Sequence, residues 1–171
     1  MRADTCEPGA RAVSRRPWPA LAALALLLPL PPALAVDAAP SVTAALPPSR
    51  AEAAPWAVAL ELPAPLRAGV PATATIRLSA RAGHHVNLEY PAAFKPDERS
   101  TAVFGGARVP LAVTASSPCP GRPGESCEVA LALPFTPGPG RTRLAGTVHF
   151  SVCTSDRCLI ERIALGAEAA K

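Results

Sequence analysis

From residue 56 onward, apolar side chains recur at every second position in short runs. Trp56, Val58, Leu60 and Leu62 alternate with other residues, and residues 72–78 repeat this alternation. A period of two is typical of strands that bury one face against a core. Five further short runs are rich in apolar or β-branched residues: 85–90, 108–113, 127–133, 143–152 and 158–165.

Turn-forming residues separate these runs. Gly and Pro cluster at 63–65, 81–83, 105–106, 121–124 and 137–140. We find no window with helical periodicity between residues 56 and 165. About seven short strands joined by such turns predict an all-β fold, an immunoglobulin-like antiparallel β-sandwich. We expect Trp56, Phe135 and Phe150 to lie in its core.

The N-terminal residues have the three-part layout of a secretory signal peptide. Arg11, Arg15 and Arg16 form a basic region, residues 20–30 are an eleven-residue apolar run, and Ala33-Leu34-Ala35 supplies small residues before a cleavage site. A membrane-spanning helix needs about 20 apolar residues, so this run is too short to be an anchor. We therefore expect residues 1–35 to be removed, and the product to be periplasmic or secreted and not membrane-spanning.

Residues 36–54 are rich in Ala and Pro and have no sustained apolar period. This composition predicts a disordered linker, with the sandwich domain spanning residues 55–168. Residues 36–171 carry thirteen basic and eleven acidic side chains, a net charge of +2. The basic residues are not clustered, so we do not expect a nucleic-acid partner.

The predicted mature chain contains four cysteines: Cys119, Cys127, Cys153 and Cys158. An even number in an exported domain predicts disulfides, with three alternative connectivities. Proximity in sequence favours the pairs Cys119–Cys127 and Cys153–Cys158.

The second pair flanks a predicted four-residue hairpin loop, residues 154–157. Facing residues of such a hairpin lie about 4.5–5.5 Å apart at Cα, which suits a disulfide. A bond closing so short a loop contributes only about 2 kcal/mol by chain entropy. This pair is therefore either a static disulfide or a reachable redox pair. Arg157 would favour a thiolate at Cys158 and Asp156 would oppose it, so the sequence leaves the nucleophile open.

A metal site is a third interpretation, because His84, His85 and His149 could join the cysteines as ligands. The only methionine is Met1, and no spacing of cysteine and histidine matches a zinc motif. We therefore predict no metal and no cofactor.

Two segments carry a resemblance to a known family. Gly83-His84-His85-Val86-Asn87 followed by Tyr90-Pro91, and residues 146–153 followed by Cys158-Leu159-Ile160-Glu161, resemble the N-terminal domain of the DsbD family of thiol:disulfide interchange proteins. The resemblance spans residues 56–165 and implies a periplasmic immunoglobulin-like sandwich. It also implies that Cys153 and Cys158 are the active cysteines, which pass electrons to partners such as a disulfide isomerase.

The resemblance further implies a cap loop over the cysteines at residues 95–106, with Phe104 as the shielding aromatic residue. Two features depart from the family: four residues separate the cysteines instead of five, and Leu159-Ile160 replaces a Pro-Pro. The pair Cys119–Cys127 has no family counterpart and is interpreted as a structural disulfide. We see no membrane electron-transfer domain here, so we expect a membrane electron carrier to act as a separate donor.

Two functions remain open from the sequence. The first is an exported thiol–disulfide interchange module that uses Cys153 and Cys158. The second is a non-catalytic β-sandwich binding domain with two structural disulfides.

Overall fold

The computed structural model describes residues 45–81 and 83–169. These residues form ten β-strands and no helix. The strands are β1 (Arg50–Ala53), β2 (Trp56–Glu61), β3 (Ala72–Ala80), β4 (His85–Val86), β5 (Ala93–Pro96), β6 (Val109–Pro110), β7 (Ala112–Cys119), β8 (Arg122–Phe135), β9 (Arg143–Cys153) and β10 (Cys158–Glu168). Every pairing between them is antiparallel. The predicted all-β antiparallel fold is confirmed.

Strands β8 and β9 are central to the sheet, since each pairs with three other strands. Strand β8 lies between β3 and β7, and β2 and β1 continue the sheet beyond β3. Strand β9 lies between β10 and β5, and β6 continues beyond β5. Trp56 of β2 and Phe150 of β9 pack edge to face with ring centroids 5.4 Å apart, although their strands are not hydrogen-bonded neighbours. The sheet therefore folds over an internal core, as in a β-sandwich.

The two-residue strand β4 links these two parts of the sheet. Val86 pairs with Ser126 of β8 and with Val152 of β9. Its neighbour His85 pairs with Cys153 at the end of β9. Strand β4 thus brings the start of β8 close to the cysteine hairpin.

The core follows the alternation seen in the sequence. Along β2, Trp56, Val58 and Leu60 are buried and the residues between them are partly exposed. Phe135 and Phe150 are buried as predicted, and Phe94 is buried completely. Because side chains alternate across a strand, the period of two places one apolar face inside.

The predicted linker is wrong at its C-terminal end. Arg50–Ala53 is strand β1, which pairs with β2 in register. Residues before it are also attached, since Gly166 N donates to Pro48 O at 3.0 Å and Leu60 N donates to Ser49 O at 2.8 Å. Backbone hydrogen bonds, which every residue can accept and every residue except proline can donate, order this segment without an apolar period. The predicted signal peptide, 1–35, and residues 36–44 lie outside the described residues.

The structure has more strands than the seven expected. Strands β1 and β5, of four residues each, lie outside the predicted runs, because a run this short holds too few positions to display a period. The predicted run 108–113 divides into β6 and the start of β7, which continues to Cys119 with exposed side chains before that cysteine. The sequence also predicts a turn at residues 121–124, whereas β8 already begins at Arg122. Only Pro120 and Gly121 form the turn between β7 and β8, with Gly121 at a φ of 70°.

Candidate functional site: the Cys153–Cys158 hairpin

Strands β9 and β10 form a long hairpin that ends in a disulfide. Cys153 faces Cys158 in the register, their Cα atoms are 4.0 Å apart, and their sulfurs are bonded. The four-residue loop is closed by Thr154 N donating to Arg157 O at 2.8 Å. Thr154 Oγ1 also accepts from the backbone N–H groups of Asp156 and Arg157, each at 3.3 Å. The predicted pairing of these two cysteines is confirmed.

The two cysteines differ in their exposure. Cys153 is 4% exposed, whereas Cys158 is exposed to solvent. Cys153 ends a buried stretch of β9, and its Sγ lies 3.9 Å from the hydroxyl of buried Ser151. Cys158 begins β10, whose first half is largely exposed. A molecule approaching this disulfide from solvent therefore meets Cys158 first.

An open cavity of about 490 Å³ lies beside the disulfide, and both cysteines line it. The residues on its other side are His85, the turn Asn87–Glu89, and Glu125 with Ser126 of β8. Asn87 Nδ2 is 4.0 Å from Cys158 Sγ. The turn is held by Asn87 N donating to Ser151 O and by Glu89 N donating to Asn87 Oδ1, both at 3.0 Å. The disulfide thus sits on one wall of a recess that β4 and β8 complete.

Three charged or titratable side chains form a contact chain along this recess. His85 Nδ1 lies 3.3 Å from Glu125 Oε2, and Arg122 Nη1 lies 2.6 Å from the same oxygen. His85 Nδ1 and Glu125 Oε2 are both buried, and neither makes a hydrogen bond of good geometry. These contacts are therefore defined by their distances alone. Arg122 is fixed by donating to the carbonyl oxygens of Gly83 and His84, each at 3.1 Å.

The second disulfide, Cys119–Cys127, joins β7 to β8 next to this chain of contacts. Its pairing was also predicted from sequence and is confirmed, with Cα atoms 4.7 Å apart. Cys119 is buried, and Cys127 Sγ lies 3.7 Å from the carbonyl oxygen of His84. The bond encloses the turn and the strand start that carry Arg122 and Glu125.

The predicted cap is not brought to the cysteines. Lys95 and Pro96 pair with Thr147 and Gly146, and Thr101 N donates to the backbone of Arg143. These partners lie at the start of β9, whereas Cys153 ends it, about 20 Å away at the rise of a strand. The expectation for residues 95–106 is therefore wrong in this structure.

Phe104 belongs to a different part of the domain. Its ring packs on Phe94 with centroids 5.6 Å apart. It lines a separate cavity of about 590 Å³ together with Val103, Val109 and Phe135. The residues beside the disulfide are instead those of the turn after β4, which lie within the segment whose resemblance was noted from sequence.

The remaining histidines do not join the cysteines. His84 Nδ1 donates to Arg81 O at 3.1 Å, which turns it towards the β3–β4 connection. His149 lies in β9 opposite Arg162, and burial, followed by the nearby charges of Arg108, Arg162 and Lys95, lowers its pKa. Within residues 45–81 and 83–169, no group of three or more His, Cys, Asp or Glu side chains is arranged to hold a metal ion.

No protein-family model, curated protein or solved structure gives a significant match to this chain. In the part of the chain that the structure describes, no helix is long and apolar enough to cross a membrane.

Proposed function

We propose that this domain is an exported thiol–disulfide interchange module of the DsbD N-terminal type, working through Cys153 and Cys158. The observation that carries the proposal is the unequal exposure of the two cysteines at the hairpin tip, above an open recess. Exchange requires a thiolate to reach one sulfur while the other sulfur leaves. The exposed Cys158 is then the sulfur that is attacked, and the buried Cys153 is the sulfur that leaves.

The exchange proceeds in two balanced steps. A thiolate of a reduced partner attacks Cys158 Sγ, so a partner–Cys158 disulfide forms and the Cys153–Cys158 bond breaks with its electron pair on Cys153 Sγ. A second partner thiolate then attacks the partner's own sulfur, which oxidises the partner and releases Cys158 as a thiolate. The two protons given up by the partner's thiols end on Cys153 and Cys158. The reverse sequence passes both electrons to the next protein.

The partners follow from this chemistry and from the predicted signal peptide. The donor is a dithiol that faces the periplasm, such as that of a membrane electron carrier, and the acceptor is a periplasmic disulfide protein such as a disulfide isomerase. The recess is open and is lined by charged and polar side chains such as His85, Asn87 and Glu125, which suits a protein partner that docks over it better than an enclosed small molecule.

The reduction potential of the Cys153–Cys158 bond tests the proposal. Structural disulfides of exported proteins lie below about −300 mV, so we expect a less negative value here. The measurement equilibrates the protein with glutathione or dithiothreitol mixtures and counts free thiols by mass. A potential well below that line, with no mixed disulfide formed by a Cys153→Ser variant, would reject exchange.

The alternative function is a non-catalytic binding domain with two structural disulfides. The observation in its favour is the cavity of about 590 Å³ beside Phe104, which lies at the other end of β9 from the cysteines. Val103 at its rim is 64% exposed. If exchange is rejected, this cavity becomes the main candidate for a binding site.

A further inference from the structure

His85 occupies a defined place next to the redox pair. It is directly opposite Cys153 in the antiparallel register between β4 and β9. Facing residues of antiparallel strands project their side chains to the same side of the sheet, with Cβ atoms about 4.5–5.5 Å apart. His85 and both cysteines line the same recess. The imidazole is therefore close to the sulfur that leaves when Cys158 is attacked.

A carboxylate lies against one ring nitrogen of His85. Its side chain is 21% exposed, and Nδ1 faces Glu125 Oε2 at 3.3 Å. Arg122 lies on the far side of that carboxylate and is itself anchored to the backbone just before His85. The Cys119–Cys127 disulfide closes the hairpin that carries both Arg122 and Glu125. Nδ1 thus contacts Glu125, and Nε2 is the ring nitrogen on the other edge of an imidazole that shares its recess with both cysteines.

We propose that His85 exchanges a proton with the sulfur of Cys153 during thiol–disulfide exchange, and that Glu125 is the positioning residue that orients the ring. This inference rests on the proposed function. When a partner thiolate attacks Cys158, the electron pair leaves on Cys153 Sγ, and protonated His85 gives that sulfur its proton from Nε2. In the reverse direction neutral His85 removes the proton from the Cys153 thiol, and the resulting thiolate re-forms the bond to Cys158.

A buried leaving group makes such a proton donor useful. Cys153 is almost excluded from water, and a thiolate formed there without a counter-charge is costly. A base held by a third group is the arrangement by which proteins activate thiols and alcohols. The other charged groups at or beside the recess are Glu89, which is exposed, Arg122, which Glu125 neutralises, and the exposed loop residues Asp156 and Arg157. None of these is paired with Cys153 in the register as His85 is.

The test compares His85→Asn with His84→Asn. The adjacent His84 does not line the recess, so its variant is a matched control. The rate of reduction of Cys153–Cys158 by glutathione is measured between pH 5 and 9, with the glutathione thiolate concentration taken into account. We expect His85→Asn to slow the reaction by about 100-fold at neutral pH, at the lower end for general acid–base catalysis. We also expect it to abolish the step that a histidine acting as proton donor gives the wild-type profile.

Glu125→Gln provides a second variant that leaves His85 in place. We expect a smaller loss of about tenfold, with the histidine step retained, because the variant removes only the group that orients the ring. Its control is Glu128→Gln, because Glu128 is an exposed residue of the same strand. If His85→Asn does not fold, this pair and the wild-type profile still test the proposal.

The outcomes separate this inference from the proposed function. If the wild type exchanges and His85→Asn matches it in rate and profile, the role of His85 is wrong while the exchange function stands. If the wild type profile has no histidine step, the role of His85 is likewise wrong. If the wild type does not exchange at all, both proposals are overturned.

Discussion

The two disulfides of this domain are alike in topology and differ in their surroundings. Each joins neighbouring antiparallel strands across a short connection, with sequence separations of 8 and 5 residues. Cys119–Cys127 has a buried and a half-buried cysteine beside the backbone of His84. Cys153–Cys158 has an exposed cysteine above an open recess with a histidine on its wall. Access and nearby groups, rather than loop length, therefore distinguish a structural disulfide from a candidate redox centre.

The largest expected effect is a difference between the two single variants of the hairpin. Cys153→Ser leaves the exposed Cys158, whereas Cys158→Ser leaves the buried Cys153. We expect Cys153→Ser to form a mixed disulfide with oxidised glutathione about 100-fold faster, because thiol reactivity requires access as well as a thiolate. Mass spectrometry over time measures both rates. Equal rates would contradict the division of roles between the two sulfurs.

The second effect concerns the order in which the two disulfides are reduced. We expect glutathione to reduce Cys153–Cys158 at least about tenfold faster than Cys119–Cys127, because a thiolate can reach Cys158 directly. Quenching with an alkylating agent and mapping the labelled cysteines gives both rates. The control is the same reaction in a denaturant, where both bonds are exposed and the difference should shrink. If Cys119–Cys127 reacts first, the assignment of the structural disulfide and the redox disulfide is reversed.

The third effect is on stability, where the two disulfides should be nearly equivalent. Replacing both cysteines of either pair by Ser removes a short cross-link, which costs about 2 kcal/mol or a Tm decrease of roughly 6–10 °C. Scanning calorimetry of both double variants measures this. A much larger loss for Cys153–Cys158 would mean that it is the main structural bond. The Cys119/Cys127 double variant keeps the redox pair. We expect its rate of exchange to fall by about threefold, because Glu125 is held less firmly once the bond that closes its hairpin is removed.

The smallest effect separates pH-dependent stability from pH-dependent exchange. Burial lowers the pKa of His149, so the unfolded chain binds more protons than the folded one as the pH falls through the ordinary histidine range. Stability is therefore full above about pH 6.5 and decreases below it. His149→Gln should flatten this part of the plot of Tm against pH while leaving the exchange profile unchanged. A change in the exchange profile would show that His149, and not only His85, contributes to it.

The close packing of β5 on β9 at Gly146 is a feature that the sequence pattern does not predict. A Cβ atom there would lie 2.6 Å from Cζ of the Phe94 ring and would also meet the backbone of Lys95 and Pro96. Strand β5 approaches β9 closely because Gly146 has no side chain. The glycine stood out in sequence only as part of the resemblance, since one glycine in an apolar run has no period of its own. The same close approach carries residues 95–106 away from Cys153.

Local rules allowed much of the fold to be predicted. Alternation identified β2, β3, β8, β9 and β10, because a strand that buries one face must repeat every two residues. It missed β1 and β5, which are held by backbone pairing with β2 and β9, and most of β7, whose side chains are exposed except for Cys119. The same limit explains why residues 50–54 were interpreted as linker. Backbone hydrogen bonds leave little trace in composition.

The two disulfide pairings and the position of Cys153 and Cys158 at a hairpin tip were determined by the sequence itself. The two cysteines of each pair are close in sequence and are separated by turn residues, so a local hairpin brings each cysteine to its nearest partner. Only the tertiary structure decided that Cys153 is buried and Cys158 exposed, that Phe104 lies elsewhere, and that His85 and Glu125 line the recess. These relations join β4, β8, β9 and β10 across long stretches of chain, and no local pattern encodes which strands become neighbours.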